Sequence, residues 1–342
     1  MIQKITYLGF FILKTNYSDL RQSINCTVKK GHSRIKLLTD MVYSSIKYGS
    51  SFVDYFNFNF YNKSESERRA YASMGTMYRF HNTINHKDFI DKVDNKKKFF
   101  INFQKFCNKA FLFDSNQKEE VLHFLKSRVD KKIVVKDPES TAGKGVRIFD
   151  ISNHAGDFLI DGVKITTFVE AHFNENSYLY FEDFIVQHNA ISSISPSGVN
   201  TIRMITLIDN NGAVAIIGSV FRISVNCKID NYSAGNLAAE INKETGVVIT
   251  GGIRKRSSCD KYHDYHPVTG KPILGFTIPF WEEVKAMILE ASLVVPEVRS
   301  IGWDIAITDQ GPVIIEGNSK WNKDTWQIPA GKGKLEMIKK FL

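Results

Sequence analysis

Asp304, Glu316 and Asn318 are the residues whose types and spacing point most directly to chemistry. They lie on two alternating segments, Gly302-Trp303-Asp304-Ile305-Ala306-Ile307-Thr308 and Pro312-Val313-Ile314-Ile315-Glu316-Gly317-Asn318. Between them Asp309-Gln310-Gly311 reads as a three-residue loop ending in the glycine that a bulged hairpin wants. With Thr308 facing Pro312, Asp304 falls opposite Glu316, and Asn318 follows on the same face because side chains alternate along a strand. Directly opposed carboxylates destabilise a sheet unless a cation lies between them. Two carboxylates and an amide oxygen suit Mg²⁺, a hard cation that takes oxygen ligands. Trp303, Ile305, Ile307, Val313 and Ile315 then point to the buried side.

A second group of residues suits phosphate. Lys136-Asp137-Pro138-Glu139-Ser140-Thr141-Ala142-Gly143-Lys144-Gly145-Val146 is a loop of small residues with one Lys at its start and another between glycines. Glycines let backbone N–H groups approach phosphate oxygens, and Lys adds point charge. A Walker A loop is excluded, since Gly145 rather than Ser or Thr follows Gly143-Lys144 and a strand rather than a helix comes next. Taken alone, the segment reads more readily as a long hairpin turn, since glycine-rich hairpins are common. Arg203 and Arg222 flank the Asn211-Gly212 turn, and a two-residue loop there sets both on one face, where two guanidinium groups can neutralise a phosphoryl group in transfer. In isolation the pair reads as surface salt bridging.

The elements that must position these residues are legible from periodicity. Apolar residues recur at helical spacing from about Ser18 to Lys98, as in Ile35, Leu38, Met41, Val42 and Ile46, and a second helical stretch runs from Phe99 to Phe113. Asp114 and Ser115 suit the cap of a helix through Val121, Leu122, Phe124 and Leu125. Strands follow: Ile133–Lys136 and Val146–Phe149 around the small-residue loop, Leu179–Gln187 with its acidic pair, then further runs separated by turn signals. One more helix is expected over Trp281–Leu293. The chain has 342 residues, is 43% hydrophobic and carries a net charge of +9. It is therefore expected to fold, and to favour anionic partners. Scattered lysines without a basic, aromatic-laced stripe argue against nucleic acid. Cys26, Cys107, Cys227 and Cys259 have no paired spacing, so neither a zinc site nor a disulfide framework is expected, and a reducing cytoplasm fits. Ile5–Leu13 is too short to span a bilayer, while Tyr7, Phe10 and Phe11 leave peripheral membrane contact open.

The order of motifs, Lys before a small-residue flap, an acidic hinge strand, Arg on a strand, then Gly-x-Asp and Glu-x-Asn on a closing hairpin, resembles the ATP-grasp superfamily. Within it, Glu182-Asp183-Phe184-Ile185-Val186-Gln187-His188, Ser197-Gly198-Val199-Asn200-Thr201-Ile202-Arg203, His266-Pro267-Val268-Thr269-Gly270 and Gly302–Thr308 look like the sugar-transfer-associated ATP-grasp proteins, related to teichuronopeptide biosynthesis proteins. The resemblance implies an α+β fold, an ATP-grasp pair of lobes preceded by a helical region: 1–95 helical, 96–187 the small lobe with flap and adenine hinge, 188–342 the large lobe with the metal-binding hairpin. It implies nucleotide contacts from Lys96, Lys136, Ser140, Thr141, Ala142, Gly143, Lys144, Gly145 and Val146, and adenine recognition around Glu182, Asp183, Phe184 and Ile185. Arg203 and Arg222 would be catalytic, and Asp304, Glu316 and Asn318 would ligate Mg²⁺. The reaction implied is ATP-dependent joining of a carboxylate to an amine through an acylphosphate, on small-molecule or sugar-linked substrates of a bacterial surface polysaccharide. Phosphorylation of a hydroxyl, or nucleotide binding in support of glycan assembly, are the other readings this resemblance leaves open. His172, Arg254, Lys255, Arg256 and His266 are expected at the surface rather than in an acceptor pocket.

Overall fold

Ile202–Ile208 is apolar at nearly every position apart from Arg203 and Thr206, and all seven of its residues are buried. A strand of that kind must be covered on both faces. A computed structural model of the protein places it as β7, at the centre of a five-stranded sheet. The model describes residues 9–107, 110–113, 117–136, 146–174, 180–227, 230–255 and 259–342. In the sheet order β11-β10-β7-β8-β9, β7 lies between β8 (Val214–Ile223) and β10 (Ser300–Thr308). The edges are β9 (Leu237–Glu240) and β11 (Gly311–Asn318), and every pairing in this sheet is antiparallel. Helix and antiparallel sheet together make an α+β protein.

The chain divides into two compact units. The larger comprises residues 1–102 and 187–342, so the helical beginning and the five-stranded sheet belong to one body. Its helices include α1 (Tyr17–Lys29), α2 (Arg34–Tyr48), α3 (Phe52–Asn57) and α4 (Met74–Ile84). Asn16 caps α1 by accepting from the Ser18 and Asp19 amides, and Ser51 and Asp54 form a reciprocal capping box on α3. Leu20, Leu37, Met41, Phe56 and Phe60 pack with Val220 and Ala238 of the sheet, while Phe80 packs with Trp321 and Trp326. These contacts explain why the N-terminal helices are inseparable from the large sheet.

The smaller unit, residues 103–186, carries a six-stranded sheet ordered β1-β6-β2-β3-β4-β5. Its strands are β1 (Phe111–Phe113), β2 (Lys132–Lys136), β3 (Arg147–His154), β4 (Asp157–Ile160), β5 (Val163–Lys164) and β6 (Tyr180–Asp183). Helices Lys118–Lys126 and Ile165–Asn174 cover it through Val121, Leu125, Ile165 and Val169. The boundary between units falls inside the helical stretch Lys96–Cys107, where Phe103 leaves helical geometry (φ −114, ψ 15). The helix expected over Phe99–Phe113 thus ends at Cys107, and its last residues form a short strand instead. Ser292 ends the helix expected over Trp281–Leu293. Residues 114–116 lie outside the described residues, and so does the cap placed there.

Cys26 and Cys259, 233 residues apart, are joined in a disulfide with Cα atoms 5.3 Å apart. This pairing corrects the expectation, drawn from the cysteine spacing, that no disulfide forms, because the fold alone brings α1 beside the segment after Ile253.

Candidate active site

Strand register assembles the acidic hairpin. Asp304 pairs directly with Glu316, and Gly302 with Asn318. Nearer the turn the ladder differs from the simple expectation. Thr308 pairs with Gly311, so the turn has two residues rather than three, and Gly311 takes a left-handed φ of 112°. A bulge between Asp304 and Ile305 then restores the Asp304–Glu316 pairing. Ile315 is the extra residue and is only half-buried, whereas Ile314, opposite Ile305, is fully buried. Gly302 is required where it stands, since a Cβ there would lie 2.5 Å from Trp321 Cβ.

Arg203 lies opposite Asp304 on the neighbouring strand. Its Nε and Nη2 donate to the two Asp304 oxygens at 2.6 and 2.8 Å, a bidentate pair. Arg222 reaches the same carboxylate, with Nη1 2.8 Å from Asp304 Oδ2, and its Nη2 donates to Asp230 Oδ1 at 2.8 Å. Asp230 also accepts from the Thr201 amide at 2.7 Å and from the Thr201 hydroxyl. The Arg222 Nε is buried and has no acceptor among the described residues. Both arginines are buried rather than set in surface salt bridges.

Two guanidinium groups and three carboxylates thus meet, leaving one negative charge in excess when all are ionised. Burial alone would raise the Asp304 carboxyl, but Arg203 and Arg222 overcome it and hold Asp304 below the usual carboxylate range. Glu316 goes the other way. Crowding by protein atoms, then the charge of Asp304 and a hydrogen bond with it, push its carboxyl up to about 7. The residue itself remains exposed to solvent. Burial raises Asp230, against the pull of Arg222. Among the described residues no three His, Cys, Asp or Glu side chains cluster as a metal site. What the hairpin offers is a carboxylate pair sharing excess negative charge, with the Asn318 amide 3.4 Å from Glu316 Oε1. Asp304, Glu316 and Asn318 are hard oxygen donors of the kind Mg²⁺ takes.

Lys96 opens the helical stretch Lys96–Cys107. Val93 and Phe99 pack against Gly317, and Asp94 accepts from the Ser319 amide and hydroxyl at 2.8 and 2.7 Å. The segment carrying Lys96 therefore lies against the Asn318 end of the hairpin. In the smaller unit Lys136 ends β2 and forms an ion pair with buried Glu182, which also accepts from the Tyr180 hydroxyl. Asp183 accepts from the Ala110 amide at 3.1 Å and from Arg128 Nε at 3.0 Å, and the Phe184 amide donates to Lys132 O at 3.2 Å. Ile185 is half-buried, and Val146 precedes β3. Ser140, Thr141, Ala142, Gly143, Lys144 and Gly145 lie outside the described residues, as does Arg256.

Sequence reasoning missed a cavity of about 790 Å³ in the larger unit. Phe11, Asp54, Tyr232, Arg254, Lys255 and Asp324 are among its walls. Lys323 donates to Asp54 at 2.5 Å and to Asp324 at 2.6 Å, and Lys255 pairs with Asp324 at 3.2 Å. Arg254 and Lys255, expected at the surface, thus line a cavity. His266 is buried, its Nε2 2.9 Å from Ser224 O. Asp230, the clamp on Arg222, stands two residues before Tyr232 in the cavity wall. No local motif marks Asp230, Tyr232 or Asp324, because only the fold gathers them.

A sequence profile described as sugar-transfer associated ATP-grasp matches residues 76–341. The chain belongs to this ATP-grasp family. Solved structures similar to it are remote. The ATP-grasp ligase PsnB, complexed with minimal precursor, Mg and ADP, matches at 13% identity and a TM-score of 0.36, covering 75% of this chain and 61% of that one. N5-carboxyaminoimidazole synthetase from Staphylococcus aureus, complexed with ADP, matches at 8% identity and a TM-score of 0.44, covering 75% and 54%. D-alanine–D-alanine ligase from Bacillus anthracis matches at 15% identity and a TM-score of 0.37, covering 74% and 67%. The chain spans only about half to three-fifths of the first structures it resembles. No curated protein matches it. In this ATP-grasp chain the matched span includes every residue of the acidic hairpin and of the arginine pair.

Proposed function

We propose that the protein is an ATP- and Mg²⁺-dependent ligase that joins a carboxylate to an amine. The observation that carries this reading is the Asp304–Glu316 carboxylate pair, clamped by Arg203 and Arg222, in a chain of the ATP-grasp family.

Asp304, Glu316 and Asn318 would hold Mg²⁺, which when bound neutralises charge on the β- and γ-phosphate oxygens. Arg203 and Arg222 keep Asp304 ionised and aimed, and would add positive charge beside a phosphoryl group in transfer. Lys136, Lys96 and the 140–146 flap supply further nucleotide contacts, and the chain at Glu182–Ile185 the adenine edge. A carboxylate oxygen of the first substrate attacks the γ-phosphorus, and ADP leaves with the electrons of the broken P–O bond. The amine nitrogen then attacks the acyl carbon of this acylphosphate, inorganic phosphate leaves, and the nitrogen loses a proton to give the amide. The protein needs no covalent nucleophile for either step. The cavity beside Tyr232 supplies room for an acceptor, linked to Arg222 through Asp230. The family's description favours a substrate in sugar transfer, and we place the reaction in bacterial surface polysaccharide assembly.

The test is ADP release from MgATP across pairs of carboxylates and amines, with hydroxylamine as trap. A hydroxamate from one acid, with phosphate release completed only by an amine, is the expected outcome. A phosphorylated hydroxyl product would replace this reading with a kinase.

A further inference from the structure

A helix packed on a protein core normally turns polar residues outward. Helix α1 does so, with Ser18, Arg21, Gln22 and Lys29 among its exposed positions. Helix α2 does not. Its inner face, Leu37, Met41, Ser44 and Ser45, is buried. Ile35, Leu38, Val42 and Ile46, spaced by three, four and four residues, form a solvent-facing stripe beside the buried face, and Ile35 is 76% exposed. Tyr43 flanks the stripe at 49% exposure, its hydroxyl accepting from Lys47. Phe10, Ile12 and Leu13, earlier in the same N-terminal stretch, are also exposed. An exposed apolar stripe along one helix marks an interaction site.

The charge around the stripe identifies what covers it. Residues 9–48 carry seven Lys and Arg against two Asp, so more than half of the chain's net +9 lies in this short stretch. Lys29 ends α1, Lys30 follows it and Lys36 lies in the first turn of α2, and none forms an ion pair among the described residues. A second copy of the chain would bring the same cations face to face across a two-fold interface, where like charges repel. An anionic bilayer surface instead accepts both features, apolar side chains entering the headgroup boundary and lysines meeting acidic lipid. Among the described residues no helix is long and apolar enough to cross a membrane, so contact through α2 is peripheral. We infer that the outer face of α2 docks the protein on an anionic membrane surface.

The test is co-sedimentation of the full chain with sucrose-loaded vesicles of phosphatidylcholine, with and without phosphatidylglycerol. The expected result is binding that requires phosphatidylglycerol and falls with added salt. Lys29→Gln/Lys30→Gln/Lys36→Gln should weaken it by on the order of a hundredfold, since each surface cation contributes about a factor of five. Ile35→Ser/Val42→Ser/Ile46→Ser should weaken it comparably, and Ile35→Ser alone in part, with circular dichroism unchanged because these side chains do not pack in the core. No sedimentation, equal binding to phosphatidylcholine alone, or full binding by the serine variant would each overturn the inference. So would a dimer in analytical ultracentrifugation that the serine variant abolishes in a chain that ignores vesicles, since a second copy would then be the occupant.

Discussion

Asp304 is the anion between two buried arginines, and neutralising it leaves both guanidinium groups without their shared acceptor. Asp304→Asn should therefore lower ADP release by on the order of a hundredfold or more. It should also destabilise the fold by about 3 kcal/mol, the usual cost of breaking a buried ion pair, measurable by urea unfolding. Arg203→Lys keeps a charge but loses the fork, and should recover only part of the activity. His81 offers a test on stability alone. Burial, then the charge of Lys320, hold its imidazole down to about 4, against an ordinary 6.5. As pH falls the unfolded chain takes up the proton first, so stability present above pH 6.5 is lost progressively down to about pH 4. The loss amounts to roughly 3 kcal/mol at most. His81→Phe should flatten that part of the stability–pH curve, and an unchanged slope would show that other groups govern it.

At the scale of elements, both hairpins of the large sheet show what periodicity reveals and what it hides. Alternation puts Asp304 with Glu316 and Arg203 with Arg222 on common faces, and the pairing bears this out. In each hairpin, however, the ladder near the turn is one residue off the simple register, and a bulge at Asp304/Ile305 or at Ile205/Thr206 restores it. Turn residues speak for local geometry, whereas bulges answer to packing several residues away, which a single strand does not announce. The stretch Ser197–Arg203 carries its meaning in position. Asn200 donates to Ser195 O and Gly198 O and accepts from the Ser224 amide at 2.7 Å, fixing the entry to β7. Asn200→Ala should cost about 1–3 kcal/mol, because buried partners lose their hydrogen bonds. Gly302→Ala should cost a similar 1–3 kcal/mol through overpacking on Trp321, read as a lowered urea midpoint with unchanged slope.

For the whole molecule, ligand binding is the direct measure of the proposed site. A ligand that binds only the folded chain stabilises it by about 2.7 kcal/mol at a hundred times its dissociation constant. MgATP should thus raise the thermal midpoint more than ATP with chelator does, and Asp304→Asn should abolish the difference. Equal shifts with and without Mg²⁺ would remove the hairpin from metal binding. The helical beginning belongs to this picture because its core residues pack on the large sheet. The Cys26–Cys259 disulfide likewise joins α1 to a segment late in the chain.

Motif order and strand alternation alone set the family resemblance, with the α+β class it implies, and the facing of Asp304 with Glu316, because both are legible along the chain. The buried clamp of Arg203, Arg222, Asp230 and Asp304, the cavity by Tyr232, the Cys26–Cys259 pairing and the apolar outer face of α2 were decided only in the tertiary structure. Each brings together or exposes side chains from distant segments, and nothing local to a segment records which others will pack against it.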